Sequence, residues 1–316
     1  MDLFKFIANS DYRLDVLASH GLLNWLSDKV YIKIRYKHFF GREISIDKPI
    51  TYNEKLQWIK LYEHNPIYTQ MVDKYEAKKF VAEKIGDEYI IPTLGVWDRF
   101  DEIDFDELPN QFVLKCTHDS GGLIIVKDKK LLDYDAARAK INKSLKNNFF
   151  YYGREWPYKN VKPRIIAELY MSEDLSINNT EPDNIARTSS NGILNDYKIY
   201  TFNGKAKICM INTDRGMRTR ADYFDKDFNW LDFKWGYDHA LVRPNKPKQY
   251  EEMFRLAEIL ANGTTELRVD FYVVNDKIYF GELTFFDGSG FDAIIPEEWD
   301  YKLGEMLNLP QKRRTK

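Results

Sequence analysis

The chain has 316 residues, 44% hydrophobic and 30% charged, which is ordinary for a soluble globular protein and long enough for one large or several smaller subdomains. A formal net charge of −2 excludes a global field that would favour nucleic acid. Two cysteines far apart, Cys116 and Cys209, exclude a disulfide framework or zinc spacing and fit a reducing compartment.

The first residues, MDLFKFIANSDYRLDVL, have neither a long apolar run nor a small-residue cleavage site, so no secretory signal is expected. No window reaches the roughly 18 apolar residues of a spanning helix. The expected location is cytoplasmic. Residues 1–85 read as a helical region. Thr51 with Glu54 forms a capping box before an apolar stripe of Leu56, Ile59 and Leu61. Val72, Tyr75, Phe80, Val81 and Ile85 mark a further helix stopped by Gly86. Acids and bases alternate along this front, so the sequence singles out no docking face.

From residue 86 the texture changes. EYIIPTLGVWD predicts strand, turn, strand. QFVLKCTHDSGGLIIVKD predicts a hairpin around a glycine loop. YDAARAKINKSLKNNFF predicts an amphipathic helix, and RIIAELYM an apolar strand. NDYKIYTFNGKAKICMINTD predicts a hairpin turning at Asn203-Gly204. KQYEEMFRLAEILANG is a helix ended by Asn262-Gly263. A last hairpin, VDFYVVNDKIYFGELTFF, and a last helix, EEWDYKLGEMLNLP, complete the chain. The fold class is α+β, with antiparallel hairpins alternating with single helices. The expected units are 1–85, a small subdomain at 86–165 and a large one at 166–316.

Each strand of the last hairpin carries one acid, Asp270 and Glu282, among aromatic and β-branched residues. With Asn275, Asp276 and Lys277 all in the loop, Asp270 faces Glu282 and Arg268 faces Thr284. A two-residue loop would put the acids on opposite faces. Facing carboxylates need a proton or a cation, and Mg²⁺ or Mn²⁺ with a nucleotide suits hard oxygen ligands without His or Cys. The plainer reading pairs Asp270 with Arg268 or a lysine and leaves Glu282 at an edge. Lys115 sits in an otherwise apolar strand. The loop His118, Asp119, Ser120, Gly121 and Gly122 after it could bring backbone N–H groups to phosphate. A Gly-Gly hairpin turn is by itself usually only a turn, and no Walker pattern is present.

The order of these features resembles the ATP-grasp superfamily. TYNEKLQWIKLY, DKYEAKKFVAEKIGDEYIIPTLGVWD, IIAELYM, DYKIYTFNGKAKI and FGELTFFDGSGF look like its TupA-like branch, associated with teichuronopeptide and other surface-polysaccharide biosynthesis. The resemblance runs from about Pro49 to Pro310. It implies an ATP-grasp fold of two α+β subdomains around ATP. It implies that Lys74 and Lys115 contact phosphates and that the His118–Gly122 loop, with Ser120, Gly121 and Gly122, covers them. It implies that the stretch with Glu168, Leu169 and Met171 reads the adenine edge, that Asp196 holds the ribose, and that Lys198 is a further phosphate contact. Arg268 would stabilise the anionic intermediate, Gly288 would offer an N–H to the oxyanion, and Asp270 and Glu282 would bind metal. Thr284 stands where many of the family's enzymes have Asn, so a two-metal site is in doubt.

The implied chemistry is activation of a carboxylate as an acylphosphate by ATP with Mg²⁺ (Mn²⁺ as substitute), then attack by an amine. The implied partners are a carboxylated saccharide acceptor, such as a uronic acid, and an amino acid or amine. Peripheral association with a membrane polysaccharide-assembly complex is compatible, and no nucleic acid is expected. Arg215, Arg218 and Arg220 are candidate acceptor contacts, because guanidinium forks suit carboxylates; an exposed charged loop is the plainer reading. Tyr151, Tyr152, Trp156 and Tyr158 with Arg154 suit a sugar face or a packed aromatic link. The rival is a glycosyltransferase with a D-x-D motif at Asp104–Asp106, Asp133–Asp135 or Asp225–Asp227, although these read as a loop, a cap and a turn. A nucleotide-binding scaffold without turnover is the third reading.

Overall fold

A computed structural model describes residues 9–172, 194–213 and 218–311. Its front is helical: α1 (Ser10–Ser19), α2 (Asp28–Phe40), α3 (Tyr52–Tyr62), α4 (Ile67–Val72) and α5 (Glu76–Ile85). The capping box forms, with Thr51 and Glu54 exchanging side chain-to-backbone bonds at the start of α3. Tyr52, Leu56 and Ile59 then face the main core.

A four-stranded antiparallel sheet follows, built from β1 (Thr93–Trp97), β2 (Phe112–Cys116), β3 (Leu123–Val126) and β4 (Ile165–Leu169) in the order β1-β4-β2-β3. Helix α6 (Tyr134–Leu145) packs on it through Ala137 and Ile141, against Leu114 and Cys116. A single turn of helix, α7 (Phe150–Gly153), leads back toward the second unit. That unit is a six-stranded sheet of β5 (Asp196–Phe202), β6 (Lys205–Thr213), β7 (Arg220–Asp225), β8 (Trp230–Leu231), β10 (Glu266–Val274) and β11 (Lys277–Thr284), in the order β11-β10-β5-β6-β7-β8. Between β8 and β10 come β9 (Lys234–Trp235), which pairs with the later β12 (Ile294–Ile295), and helix α8 (Tyr250–Leu260). Apolar residues of α8 at three-to-four spacing (Tyr250, Met253, Phe254, Ala257, Leu260) are buried in the main core with the sheet. Helix α9 (Glu298–Met306) closes against α3.

Several expectations change. Only the second half of EYIIPTLGVWD is a strand; Ile90 instead makes a single bridge to Phe280 of the large sheet. The helix expected over residues 134–150 breaks after Leu145, and Phe150 starts α7. The boundary at 165/166 falls inside β4, whose pairing with β1 and β2 carries the small sheet to Leu169. Strand β7 begins at Arg220, inside a stretch that reads as a loop.

The last hairpin corrects the reading of its own register. Its loop has two residues, Asn275 and Asp276, both left-handed as a type I′ turn requires, and Val274 faces Lys277. Phe271 then faces Phe280, yet Asp270 faces Glu282 and Arg268 faces Thr284. A β-bulge at Gly281 supplies the missing residue and restores the facing acids. The extra residue is glycine because a Cβ there would lie 3.1 Å from the Asp270 carbonyl oxygen and from Cε2 of Tyr272. Gly281→Val is therefore expected to cost about 1–3 kcal/mol by overpacking, read as a lower urea midpoint. An unchanged midpoint would show that the bulge does not depend on this close approach.

Candidate active site

The two sheets bring their charged residues to one cleft. On β10 and β11 the facing acids are not left to repel. Arg268 Nε donates to Asp270 Oδ1 at 2.7 Å and Nη2 to Oδ2 at 2.8 Å. Nη2 also reaches Glu282 Oε1 and Thr284 Oγ1, each at 3.1 Å. Thr284 donates to Glu282 Oε1 at 3.2 Å. From β5, Lys198 bonds Asp270 closely and Asp196 at 2.7 Å. The plainer reading of Asp270 is thus realised: its neutralising cations are Arg268 and Lys198.

Arg268 is buried, and its Nη1 bonds Asp287, whose second oxygen accepts from the Tyr200 hydroxyl. Burial would lower the Arg268 pKa, but Asp270 and Asp287 hold it well above its ordinary value. Burial pushes Asp270 up, and Arg268 and Lys198 pull it back. Glu282 differs. Its side chain is 37% exposed at the cleft. Desolvation would raise it, but Lys74, Arg268, Lys198 and Lys115 outweigh that and hold its carboxyl down at about 2.

From the small sheet, Lys115 binds Glu168 at 2.5 Å, and Lys78 of α5 binds its other oxygen at 2.6 Å. Lys78 also donates to Ile91 O at 2.7 Å. The Glu168 side chain is thus the counter-ion of two lysines. Leu169 N–H donates to Pro92 O at 3.0 Å, and Met171 lies just beyond the strand. Lys74 donates to the Asp119 carbonyl at 2.6 Å and so ties α5's approach to the glycine loop. In that loop only Ser120 lines the cavity described below. The Gly122 N–H is taken by Asp119 Oδ1 at 3.1 Å, and a Gly122 Cβ would strike Cys116 Sγ and Ser144 Oγ. Gly122 serves close packing, and its N–H is not directed at a ligand. Gly288 lines the cavity with φ +56°, but its N–H points to Asp287 Oδ1 at 3.0 Å.

A cavity of about 260 Å³ opens beside Arg268 and Glu282. Phe149, Tyr152 and Tyr158 line one part, and Glu155, Asp287 and Asp292 place carboxylates along it. Two of the expected aromatics are therefore wall residues. Arg154 is instead packed on the Tyr31 ring, and Trp156 stacks on His64.

Sequence reading missed the floor of this cavity. Buried Lys60 donates to Gly153 O at 2.7 Å, Ser289 O at 2.6 Å and Gln57 Oε1 at 3.0 Å. Buried Glu155 accepts from the Ser289 hydroxyl. Burial lowers Lys60 and raises Glu155, and each partly reverses the other's shift. The available signal was a lysine on the inward side of α3 and an acid amid aromatics.

Arg218 and Arg220 do not join the cavity. Arg218 pairs with Asp238 at 2.9 Å, and Arg220 with His239 O at 3.2 Å. Arg215 lies outside the described residues. The three D-x-D motifs have local partners: Asp104 accepts from Asp106 N–H, Asp133 caps α6 through Ala136 N–H, and Asp225 accepts from Asp227 and Asn229 N–H. Both cysteines are buried and unpaired.

Among the described residues no three His, Cys, Asp or Glu side chains converge as a metal cage. Asp270 is buried and already accepts three bonds from Arg268 and Lys198, and Thr284 already serves Arg268 and Glu282. Among the described residues Glu282 and Asp287 both line the cavity with their carboxyls held down, but Asp287 is taken up by Arg268 and Tyr200, and Glu282 is the more exposed. That donor set fits a divalent ion carried on phosphates, and does not fit a free ion held by protein alone.

Solved structures with similarity to the chain include D-alanine–D-alanine ligase from Bacillus anthracis, at 14% identity over 95% of this chain and 93% of that one, TM-score 0.39. The corresponding ligase from Helicobacter pylori is 15% identical over 76% of this chain, TM-score 0.39, and only 61% of its length is spanned. An ATP-grasp ligase, PsnB, complexed with minimal precursor is 9% identical over 70% of this chain, TM-score 0.37, with 54% of its length spanned. No curated protein sequence matches the chain. The family model described as TupA-like ATPgrasp matches residues 54–308, from the capping glutamate of α3 to just past α9, and so takes in both sheets and every cleft residue named above. The chain belongs to the TupA-like ATP-grasp family and has its α+β ATP-grasp fold.

Proposed function

We propose that this chain is an ATP-dependent carboxylate–amine ligase. The observation that carries the reading is the meeting in one cleft of Arg268, 3.1 Å from Glu282, and Lys198, bonded to Asp270, with Lys74 and Lys115 adding to the positive field around Glu282. In the cleft, Lys74, Lys78, Lys115, Lys198 and Arg268 lie among Glu168, Asp196, Asp270, Glu282 and Asp287, with Glu155 and Asp292 adding carboxyl groups along the cavity, so the local balance shows no excess of cations. A triphosphate adds several negative charges to that balance. Mg²⁺ (or Mn²⁺) arriving on the phosphates, with Glu282 as its protein ligand, would supply charge neutralisation there.

In this reading Lys74 and Lys115 hold phosphate oxygens, and Ser120 with Gly121 lies over them. Leu169 and Met171 border the base, Asp196 the ribose, and Lys198 with Arg268 the transferring end. The γ-phosphoryl group passes from ATP to a carboxylate oxygen, releasing ADP. An amine nitrogen then attacks the acyl carbon of the acylphosphate, the C–O bond to phosphate breaks, and the nitrogen loses a proton. Arg268 offsets charge on the carbonyl oxygen. Gly288 N–H can assist only if Asp287 releases it. The aromatic wall of Tyr152 and Tyr158 suits a sugar ring. The acid is therefore assigned to a uronic acid of a surface polysaccharide or its precursor, and the nucleophile to an amino acid or other amine. Arg215, Arg218 and Arg220 remain candidates only for a distal part of a long acceptor. Glu155, beside the cavity and pushed above the ordinary carboxylate range by burial, is assigned to take the proton from the amine.

The glycosyltransferase reading lacks a site, since its three D-x-D motifs are engaged in turns and a cap. Thermal shift separates the two. Mg²⁺–ATP at about 100 times its dissociation constant should stabilise the fold by about 2.7 kcal/mol, and Glu282→Gln should abolish the Mg²⁺-dependent part. Stabilisation by a nucleotide sugar and not by ATP would reverse the assignment. ADP release should require Mg²⁺, a uronic acid and an amine together, and full turnover by Asp270→Asn would sink the site. The pH profile tests Glu155. A base raised by burial loses its charge as pH falls toward and below neutrality, so amide formation should fall there, well above an ordinary carboxylate limb. Glu155→Gln should flatten that limb and slow amide formation by about 10²–10⁴-fold.

A further inference from the structure

The structure separates charges that alternate in the sequence of the helical front. In α2 the buried face is Tyr31, Ile32, Arg35 and Tyr36. Asp28, the helix's one acid, turns to Arg154 at 3.6 Å. The opposite face exposes Lys29, Lys33 and Lys37, one per turn, beside exposed Val30 and Ile34. Among the described residues the acid beside this stripe is Glu43, which pairs with Lys37 at 2.7 Å and also lies near Lys33. The turn before α2 adds Trp25, 80% exposed, and Leu22, 59% exposed. They point outward for a reason on the buried side. Arg154 collects the carbonyls of Leu23, Asn24 and Leu26, while its guanidinium stacks on Tyr31. The backbone polar groups of the turn face in, so its large side chains face out. The indole N–H bonds Leu22 O at 3.0 Å, which keeps the ring laid across the turn.

We propose that this face docks on the surface of an anionic lipid bilayer. A lysine stripe on a helix with exposed aliphatic residues beside it, preceded by a turn that exposes a tryptophan and a leucine, fits that surface. The lysines supply attraction to lipid phosphates, and Trp25 with Leu22 supplies burial at the headgroup boundary. A neutral protein groove would add no counter-charge to Lys29, and would leave Lys33 and Lys37 sharing Glu43. No described helix is long and apolar enough to cross a membrane, so attachment here would be peripheral. The inference stands apart from the ligase reading, because no residue of the face touches the cleft network.

The test is sedimentation of the full chain with phosphatidylglycerol–phosphatidylcholine vesicles and with phosphatidylcholine vesicles alone. Binding to the anionic vesicles only, weakened by salt, is expected. Lys29→Glu/Lys33→Glu should weaken it by about tenfold or more, and Trp25→Ser should weaken it at every salt concentration. Thermal shift by Mg²⁺–ATP should be the same in all three proteins. Equal binding by the charge-reversed variant, or no binding to anionic vesicles, would overturn the proposal. So would concentration-dependent self-association without lipid that Trp25→Ser removes, which would assign the face to a second copy of the chain.

Discussion

One guanidinium sets the geometry of the cleft. Arg268 distributes its donors over Asp270, Glu282, Thr284 and Asp287, and so ties β10, β11 and the loop after β11 into one rigid piece. A buried cation of this kind is costly unless every donor is used. Here the fork geometry uses them: two parallel bonds to Asp270 lock its carboxylate in plane, and the outer nitrogen reaches Asp287. Lys198 closes the remaining side of Asp270. The consequence is a division of labour between two acids that look equivalent in sequence. Asp270 orients the arginine, and Glu282 is left facing the cleft.

The small sheet repeats the device in a simpler form. Glu168 lies between Lys115 and Lys78, so a strand carrying a lysine and a strand carrying an acid can sit side by side in an apolar sheet. Lys74 does not join either cluster by a salt bridge but reaches the backbone of the glycine loop. The cleft therefore has two prearranged ion networks, one on each sheet, with a lysine-tethered loop between them. Such networks have little need to reorganise when a charged ligand arrives, which is the condition under which electrostatic stabilisation is strongest.

Much of this was legible. Alternating apolar strands, the Asn203-Gly204 turn, the capping box and the odd acids on a greasy hairpin all carry local signals that tertiary packing did not override. The facing of Asp270 and Glu282 was foreseen for a wrong reason. Strand alternation was compatible with a loop of Asn275, Asp276 and Lys277, while the molecule combines a two-residue turn with a bulge at Gly281. A glycine inside a strand was the visible sign of that bulge. Lys60, Glu155, Asp287 and Ser289 were not foreseen, because the inward position of Lys60 on α3 does not show what it meets until Gly153 and Ser289, far along the chain, fold onto it. Two members of the arginine run have partners that no local signal announces: Arg218 pairs with Asp238 and Arg220 donates to the His239 carbonyl, across a turn that has no sequence signature.

Thr284 shows how far a family comparison carries. An asparagine there could present a carbonyl oxygen to a metal. The threonine hydroxyl instead accepts from Arg268 and donates to Glu282, so its proton and one of its two lone pairs are already engaged. A second metal at Thr284 would have one remaining hydroxyl lone pair and would stand beside the Arg268 guanidinium, whose positive charge opposes it. Holding one ion through Glu282's free oxygen and the phosphates disturbs none of these bonds. The chemistry of the donor set thus favours a cleft in which protein cations do most of the neutralisation and a single phosphate-borne ion completes it.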